Sequence, residues 1–374
     1  MKIGIDLTWL KPNKSGGVES YIRNLLDGFL ELGDDNKYIL LMAKDNYQSF
    51  EKYKKDARIE TILCNTNAND IKGHLIWQNL HQYNVLKKNK LDFCFFPVYE
   101  MPIYKNRKIR CVTTIHDIQA YHYPKYFSKL ENIWFKLGWE KAIKNANRIV
   151  TISDFTKHDI ENHFKHAKNI KRIYIPIVLN DKIKCNFNQL SKKYNIQKNQ
   201  YYYTVCSLHK HKNLITLINV MEEIIKKEKK IPNILVISGV GGPQKKELEN
   251  IIFEKKLEKN VILTSFVSNE ERNSLIENSN IFLFPSLFEG FGMPPVEAMM
   301  LGAKVITTKC TSLYEVTDKK CEYVEDPLST QEWINKIKEI QNMESKKYDF
   351  TEYDKKHIAR QYLDLFYEVN NEKR

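Results

Sequence analysis

Between Glu289 and Met299 the chain reads Glu-Gly-Phe-Gly-Met-Pro-Pro-Val-Glu-Ala-Met, with two carboxylates eight residues apart around a glycine-rich turn. Upstream, Ile281, Leu283 and Phe284 form an apolar run suited to a buried parallel strand. Pro294 and Pro295 suit the first turn of a helix, where a missing backbone N–H costs little. The turn is therefore expected between strand and helix. At the carboxyl edge of an open α/β sheet that is where ligands bind, and the N–H groups and dipole of a helix start favour an anion such as phosphate. A carboxylate beside a phosphate is repelled, so Glu289 and Glu297 are expected to accept hydroxyl groups of sugars attached to it.

Over these residues the chain resembles the retaining, nucleotide-sugar-dependent glycosyltransferases of family 4 (glycosyl transferases group 1), which have the GT-B fold of two Rossmann-like α/β domains facing across a cleft. The resemblance implies that Glu289 meets the donor sugar and Glu297 the ribose. It also implies that the loop Gly290, Phe291, Gly292 and Met293 holds the sugar and the distal phosphate through its backbone amides. The competing reading is a first-turn Glu297 favoured by the helix dipole and a surface Glu289.

Three further segments match the same family. Lys11-Pro12-Asn13-Lys14-Ser15-Gly16-Gly17-Val18-Glu19 follows an apolar run and opens a helical pattern, and its glycines allow close backbone approach; the resemblance implies that Gly16 and Gly17 face the donor phosphates. His116-Asp117 closes the run Cys111 to Ile115, where a lone His is more often structural; the resemblance implies contact with the donor sugar near the reacting carbon. Cys206-Ser207-Leu208-His209-Lys210-His211-Lys212-Asn213 follows another run and offers a basic clamp for a diphosphate, with Lys212 as a point charge. The family's second cation is not at its usual place, so Lys210, His209 and His211 all stand as substitutes. Ser265-Phe266-Val267-Ser268 falls where the family lodges the nucleotide base.

Glycosyl transfer needs a stabilised leaving diphosphate and a sugar able to bear oxocarbenium character. No Asp-x-Asp occurs in the chain, so a metal bridging the diphosphate has no obvious ligands and none is expected; with the nucleotide sugar as substrate, no cofactor is expected either. The resemblance implies retention of configuration by front-face attack, with His116, Glu289 and Lys212 as catalytic residues. Donor (GDP-mannose or a UDP-sugar) and acceptor (a glycan or lipid-linked saccharide of surface polysaccharide or lipopolysaccharide synthesis) stay open, with a lean toward the mannosyltransferase branch. Another GT-B enzyme such as an epimerase is the near alternative. A nucleic-acid-binding protein is the distant one, since no recognition motif is present.

These residues must be held by two domains. Apolar runs alternate with helical patterns in both halves: Lys2 to Asp6, Tyr38 to Ala43, Ile59 to Leu63, Phe93 to Phe96, Cys111 to Ile115 and Arg148 to Ile152, then Tyr202 to Cys206, Ile234 to Ser238, Val261 to Leu263, Ile281 to Phe284 and Lys304 to Thr307. The expected domains are 1–178 for the acceptor and 179–352 for the nucleotide sugar, with the connection at Ile173 to Asn180. A C-terminal helix over 353–374 is expected to cross back to the first domain, as the resemblance implies.

The 374 residues carry a net charge of +13, and 29 of the 59 Lys and Arg fall in residues 1–180 against 19 Asp and Glu, so the first half is the basic one. Without an apolar run of spanning length or a leader pattern, this predicts a cytosolic chain able to touch an anionic membrane at its inner face. Ile133, Trp134, Leu137 and Trp139 would serve that contact or, equally, a core. Seven scattered cysteines with no Cys-x-x-Cys predict reduced thiols.

Overall fold

A computed structural model describes residues 1–12, 16–91, 93–102, 109–179, 185–228, 231–239 and 241–372. The chain forms two compact units, Met1–Val178 with Thr351–Arg374, and Leu179–Phe350. Asn13, Lys14, Ser15, Asn180, Lys373 and Arg374, which belong to segments discussed above, lie outside the described residues.

The first unit is built on β1 (Lys2–Asp6), α1 (Gly16–Leu32), β2 (Lys37–Met42), β3 (Ile59–Leu63), α2 (Ile71–Leu80), α3 (Gln82–Lys88), β4 (Phe93–Phe96), β5 (Arg110–Ile115), α4 (Gln119–His122), α5 (Lys129–Asn145), β6 (Arg148–Thr151), α6 (Asp154–His163) and β7 (Ile170–Arg172). Its strands pair in the order β3-β2-β1-β4-β5-β6-β7, all parallel. The apolar runs lie at the centre because a parallel sheet is covered on both faces. β4, for example, is buried at all four positions.

The second unit holds α7 (Phe187–Tyr194), β8 (Tyr202–Val205), α8 (Leu214–Lys227), β9 (Leu235–Ser238), α9 (Lys245–Glu254), β10 (Val261–Thr264), α10 (Asn269–Asn278), β11 (Ile281–Phe284), α11 (Met293–Met300), β12 (Val305–Thr308), α12 (Leu313–Val316), β13 (Glu322–Val324) and α13 (Thr330–Ile340). Its parallel order, β10-β9-β8-β11-β12-β13, repeats that of the first sheet. In each sheet the order reverses once, at β1/β4 and at β8/β11. Such a switch point opens a crevice at the carboxyl edge.

β7 and β13 carry no apolar run. Their sequences Ile170-Lys171-Arg172 and Glu322-Tyr323-Val324 sit at sheet edges, where only one flank is paired and burial is partial. The last helix, α14 (Lys355–Asn371), belongs to the first unit. Its Phe366 ring lies 4.7 Å from Phe93 and 5.3 Å from Phe95, and the Tyr362 hydroxyl stands 2.7 Å from that of Tyr21. Gly28 permits this packing, because a Cβ there would fall 2.3 Å from the Lys355 carbonyl. α5 splits the aromatic pattern read from the sequence. Trp139 is buried in the core at 3% exposure, whereas Leu130, Ile133, Trp134 and Leu137 stay exposed. No helix among the described residues is long and apolar enough to cross a membrane.

Candidate active site

The two loops at the switch point of the second sheet are tied to each other. Leu287 N donates to the His211 carbonyl at 2.7 Å, and the buried Ser286 hydroxyl reaches the same carbonyl at 3.3 Å. The loop after β8 is held in turn by Asn213, in the left-handed region at φ 53°, whose side-chain amide donates to the Pro327 carbonyl at 3.0 Å. These bonds bring Lys212 and Glu289 together across 77 residues of sequence. Lys212 Nζ lies 2.6 Å from Glu289 Oε1, with the side chains 14% and 12% exposed.

The glycine-rich turn is clamped from the loop after β12. Thr311 Oγ1 accepts from Glu289 N at 2.9 Å, and the Ser312 hydroxyl bridges the carbonyls of Glu289 and Phe291 at 2.9 and 2.8 Å. Gly292 then turns the chain into α11 at φ +95°, and a Cβ there would fall 2.5 Å from Leu313 Cδ2. Pro294 and Pro295 occupy the first turn of α11, where missing N–H groups cost nothing intrahelical. The result is a rigid helix N-terminus beside one ammonium group.

Glu297, on α11 and 8% exposed, does not join Glu289. It faces Arg272 of α10, with Nη1 3.3 Å from Oε2. Each carboxylate thus has its own cation. Sequence reasoning missed Arg272, although it is the only arginine between residues 179 and 350, a signal in a lysine-rich chain given what a planar guanidinium does that an ammonium cannot. Thr311 carries no recognisable chemistry of its own, and only its position reveals it.

Of the residues considered for the second cation, burial pushes the His211 imidazole down to about 3, with Lys212 and then His209 adding to the effect. Burial and Lys212 also lower His209. Both shifts disfavour the charged imidazoles. Ser207 lies in the same loop, beside Leu208. Val267, 9% exposed, directly precedes Ser268, which caps α10 reciprocally with Glu271. Leu208, Gly239, Gly241, Lys245 and Thr264 line a recess at the carboxyl ends of β8, β9 and β10, with the 70% exposed Phe266 beside it.

In the first unit, Gly16 and Gly17 begin α1, Gly16 with φ +51°. His116 follows β5 and donates through Nε2 to the Pro97 carbonyl at 2.9 Å, which leaves Nδ1 as the acceptor. Tyr21 packs edge-on against its ring. Burial pushes His116 down to about 4, against a smaller upward effect of the Pro97 carbonyl. It is a neutral imidazole at physiological pH.

Comparison with known proteins decides the family. The model for Glycosyltransferase Family 4 matches residues 15–181, and that for glycosyl transferases group 1 matches residues 186–357. The chain belongs to the family 4 glycosyltransferases. This glycosyltransferase is 25% identical over 341 residues to the O-antigen chain mannosyltransferase RfbU of Salmonella typhimurium, covering 88% of this chain and 89% of that protein. It is also 25% identical over 221 residues to O-antigen chain mannosyltransferase B of Escherichia coli, where the match spans 56% of each chain. Its fold matches that of Anabaena Alr3699/HepE, solved in complex with UDP and glucose, at a TM-score of 0.70 and 16% identity over 99% of this chain and 100% of that one. Two parallel-sheet Rossmann-like domains therefore make this glycosyltransferase a GT-B protein, as the alternating apolar runs and the family resemblance led one to expect.

Proposed function

We propose that this glycosyltransferase moves mannose or a related hexose from a nucleotide diphosphate sugar onto a lipid-linked saccharide of O-antigen or lipopolysaccharide synthesis, with retention of configuration and without a metal. The observation that carries the proposal is the Lys212–Glu289 pair beside the α11 N-terminus. A diphosphate there meets one ammonium charge and the positive end of a helix dipole. Lys212 then exchanges its carboxylate partner for the leaving phosphate, and Glu289 is released to accept a hydroxyl of the donor sugar. Stabilisation of the departing charge is the largest contribution such a site can make. Glu297 accepts from the ribose while Arg272 holds it in place, and the recess by Val267 and Phe266 takes the base. Gly16, Gly17 and His116 keep the roles the family resemblance implies, His116 as a neutral contact to the sugar. The absence of Asp-x-Asp supports metal-free transfer, and the O-antigen mannosyltransferase relatives support mannose and a lipid-linked acceptor.

The exposed edge of α5 supports a contact with an anionic membrane. Leu130, Ile133, Trp134 and Leu137 recur at helical spacing with exposures of 80%, 55%, 41% and 62%. Exposed Lys125, Lys129, Lys136 and Lys144 flank them, the composition of an interfacial helix. Sedimentation with phosphatidylglycerol vesicles, abolished by Leu130→Ser/Leu137→Ser and absent with neutral phosphatidylcholine, is the expected result. Equal sedimentation of the variant removes α5 from the proposal.

The transfer itself is tested with GDP-mannose and UDP-sugars, with and without a lipid-linked saccharide acceptor and with a chelator present. Expected are nucleotide release that depends on acceptor, a product of retained configuration by NMR, and a drop of at least about 100-fold in kcat for Lys212→Ala, the size seen when one donor to a developing anion is removed. Near-wild-type transfer by both Lys212→Ala and Glu289→Gln overturns the assignments, and isomerised donor without transfer points to an epimerase.

A further inference from the structure

A second cluster of chemistry lies in the first unit, built from residues given no role above. His122 ends α4, and Asp159 and His163 stand one turn apart on α6, at the i and i+4 spacing that puts both on one helix face. His122 Nε2 lies 2.8 Å from each carboxylate oxygen of Asp159. His163 Nδ1 lies 3.2 Å from Asp159 Oδ1 and 2.9 Å from its main-chain oxygen. Three acceptor oxygens thus crowd two nitrogens, each of which carries at most one hydrogen.

One ligand atom from each of the three residues falls within 4.8 Å of the others. A tetrahedral zinc with bonds of about 2.0–2.1 Å sets its ligand atoms about 3.3 Å apart, so the two histidine–aspartate spacings of 2.8 and 3.2 Å need to open by only a few tenths of an ångström, while the two imidazoles, within 4.8 Å, turn toward the same ion. Asp159 is buried, whereas both histidine side chains are one-third exposed, so an ion has a path in and water can complete its shell. Tyr121, packed 4.8 Å from His163 and 5.5 Å from Phe164, backs the cluster with core.

We infer that His122, Asp159 and His163 form a structural site for a zinc-class divalent cation that fastens α4 to α6. Two imidazoles and one carboxylate suit zinc and its neighbours rather than magnesium, which takes oxygen ligands. The consequence reaches the segment that follows β5. Thr156 of α6 already donates to the His116 carbonyl at 3.2 Å, and a metal at His122 adds a second fastening six residues later in the same segment. The site does not depend on the proposed transfer reaction.

The test uses the full chain stripped with a chelator and titrated calorimetrically with zinc chloride alone. One equivalent per chain is expected, together with a raised melting temperature. His122→Ala and His163→Ala should each weaken binding at least tenfold while leaving the far-ultraviolet circular dichroism of the metal-free protein unchanged. Magnesium chloride should give no saturable heat. Absence of zinc binding, unaltered zinc binding by the His122→Ala/His163→Ala double variant, or magnesium binding of equal strength each overturns the site. None of these readouts involves glycosyl transfer, so failure here and failure of the proposed function are told apart.

Discussion

Acid should unsettle this protein through histidines that the fold keeps neutral, and His116 allows the effect to be worked out. Burial holds its imidazole at about 4, against 6.5 for an ordinary histidine. A folded value below the unfolded one means that the unfolded chain binds more protons, so stability is full above pH 6.5 and is lost as pH falls toward 4. At pH 5 the unfolded side chain is almost wholly protonated and the folded one about one-tenth, a difference of ~2 kcal/mol relative to pH 7. His116→Gln retains an N–H able to meet the Pro97 carbonyl and removes the titration. Urea unfolding of wild type and variant at pH 7 and pH 5, followed by tryptophan fluorescence, isolates the contribution, since every other group is common to both. With a slope of ~2 kcal/mol per molar urea, the wild-type midpoint should fall by about 1 M more than that of the variant. An equal fall in both proteins would refute the claim that burial keeps His116 neutral. His211, held at about 3, should behave the same way in the second unit.

Gly292→Ala places a Cβ 2.5 Å from Leu313 Cδ2 at φ +95°; a loss of about 2 kcal/mol is expected from the backbone conformation alone, and because Leu313→Ala removes the clashing methyl group at the cost of a buried leucine, the double variant should lose less than the two single variants summed in urea unfolding. Ser312→Ala leaves two carbonyls of the turn without their shared donor, which should cost about 1–3 kcal/mol and raise KM for the donor. The second effect is checked by donor titration and separates a role in shaping the turn from stability alone. Phe366→Ala, removing a fully buried ring packed on Phe93 and Phe95, should destabilise the first unit by about 3–5 kcal/mol in denaturant unfolding.

Much of the fold could be read from residue patterns because parallel strands covered on both faces must be continuously apolar. Runs such as Phe93–Phe96 and Ile281–Phe284 therefore announce themselves. β7 and β13 could not be found this way. An edge strand half open to water needs no apolar run, and its identity rests on pairing with β6 and β12. The turn from Glu289 to Met293 was legible for a local reason, since glycine, proline and helix-end preferences act over a few neighbouring residues. Arg272 and its pairing with Glu297 were not, because 25 residues separate them and a surface helix position does not reveal what it faces.

The sequence by itself determined the alternation of strands and helices, the glycine turn ahead of α11 and the membership in a family with that turn. Those properties follow from short-range sterics, backbone hydrogen bonding and periodic burial. Tertiary structure alone decided that Lys212 meets Glu289 and that Arg272 answers Glu297. It also decided that the imidazoles of His116, His209 and His211 are pushed toward their neutral forms. Pairing and desolvation depend on what distant segments bring into contact, and no local pattern encodes the dielectric surroundings of a side chain.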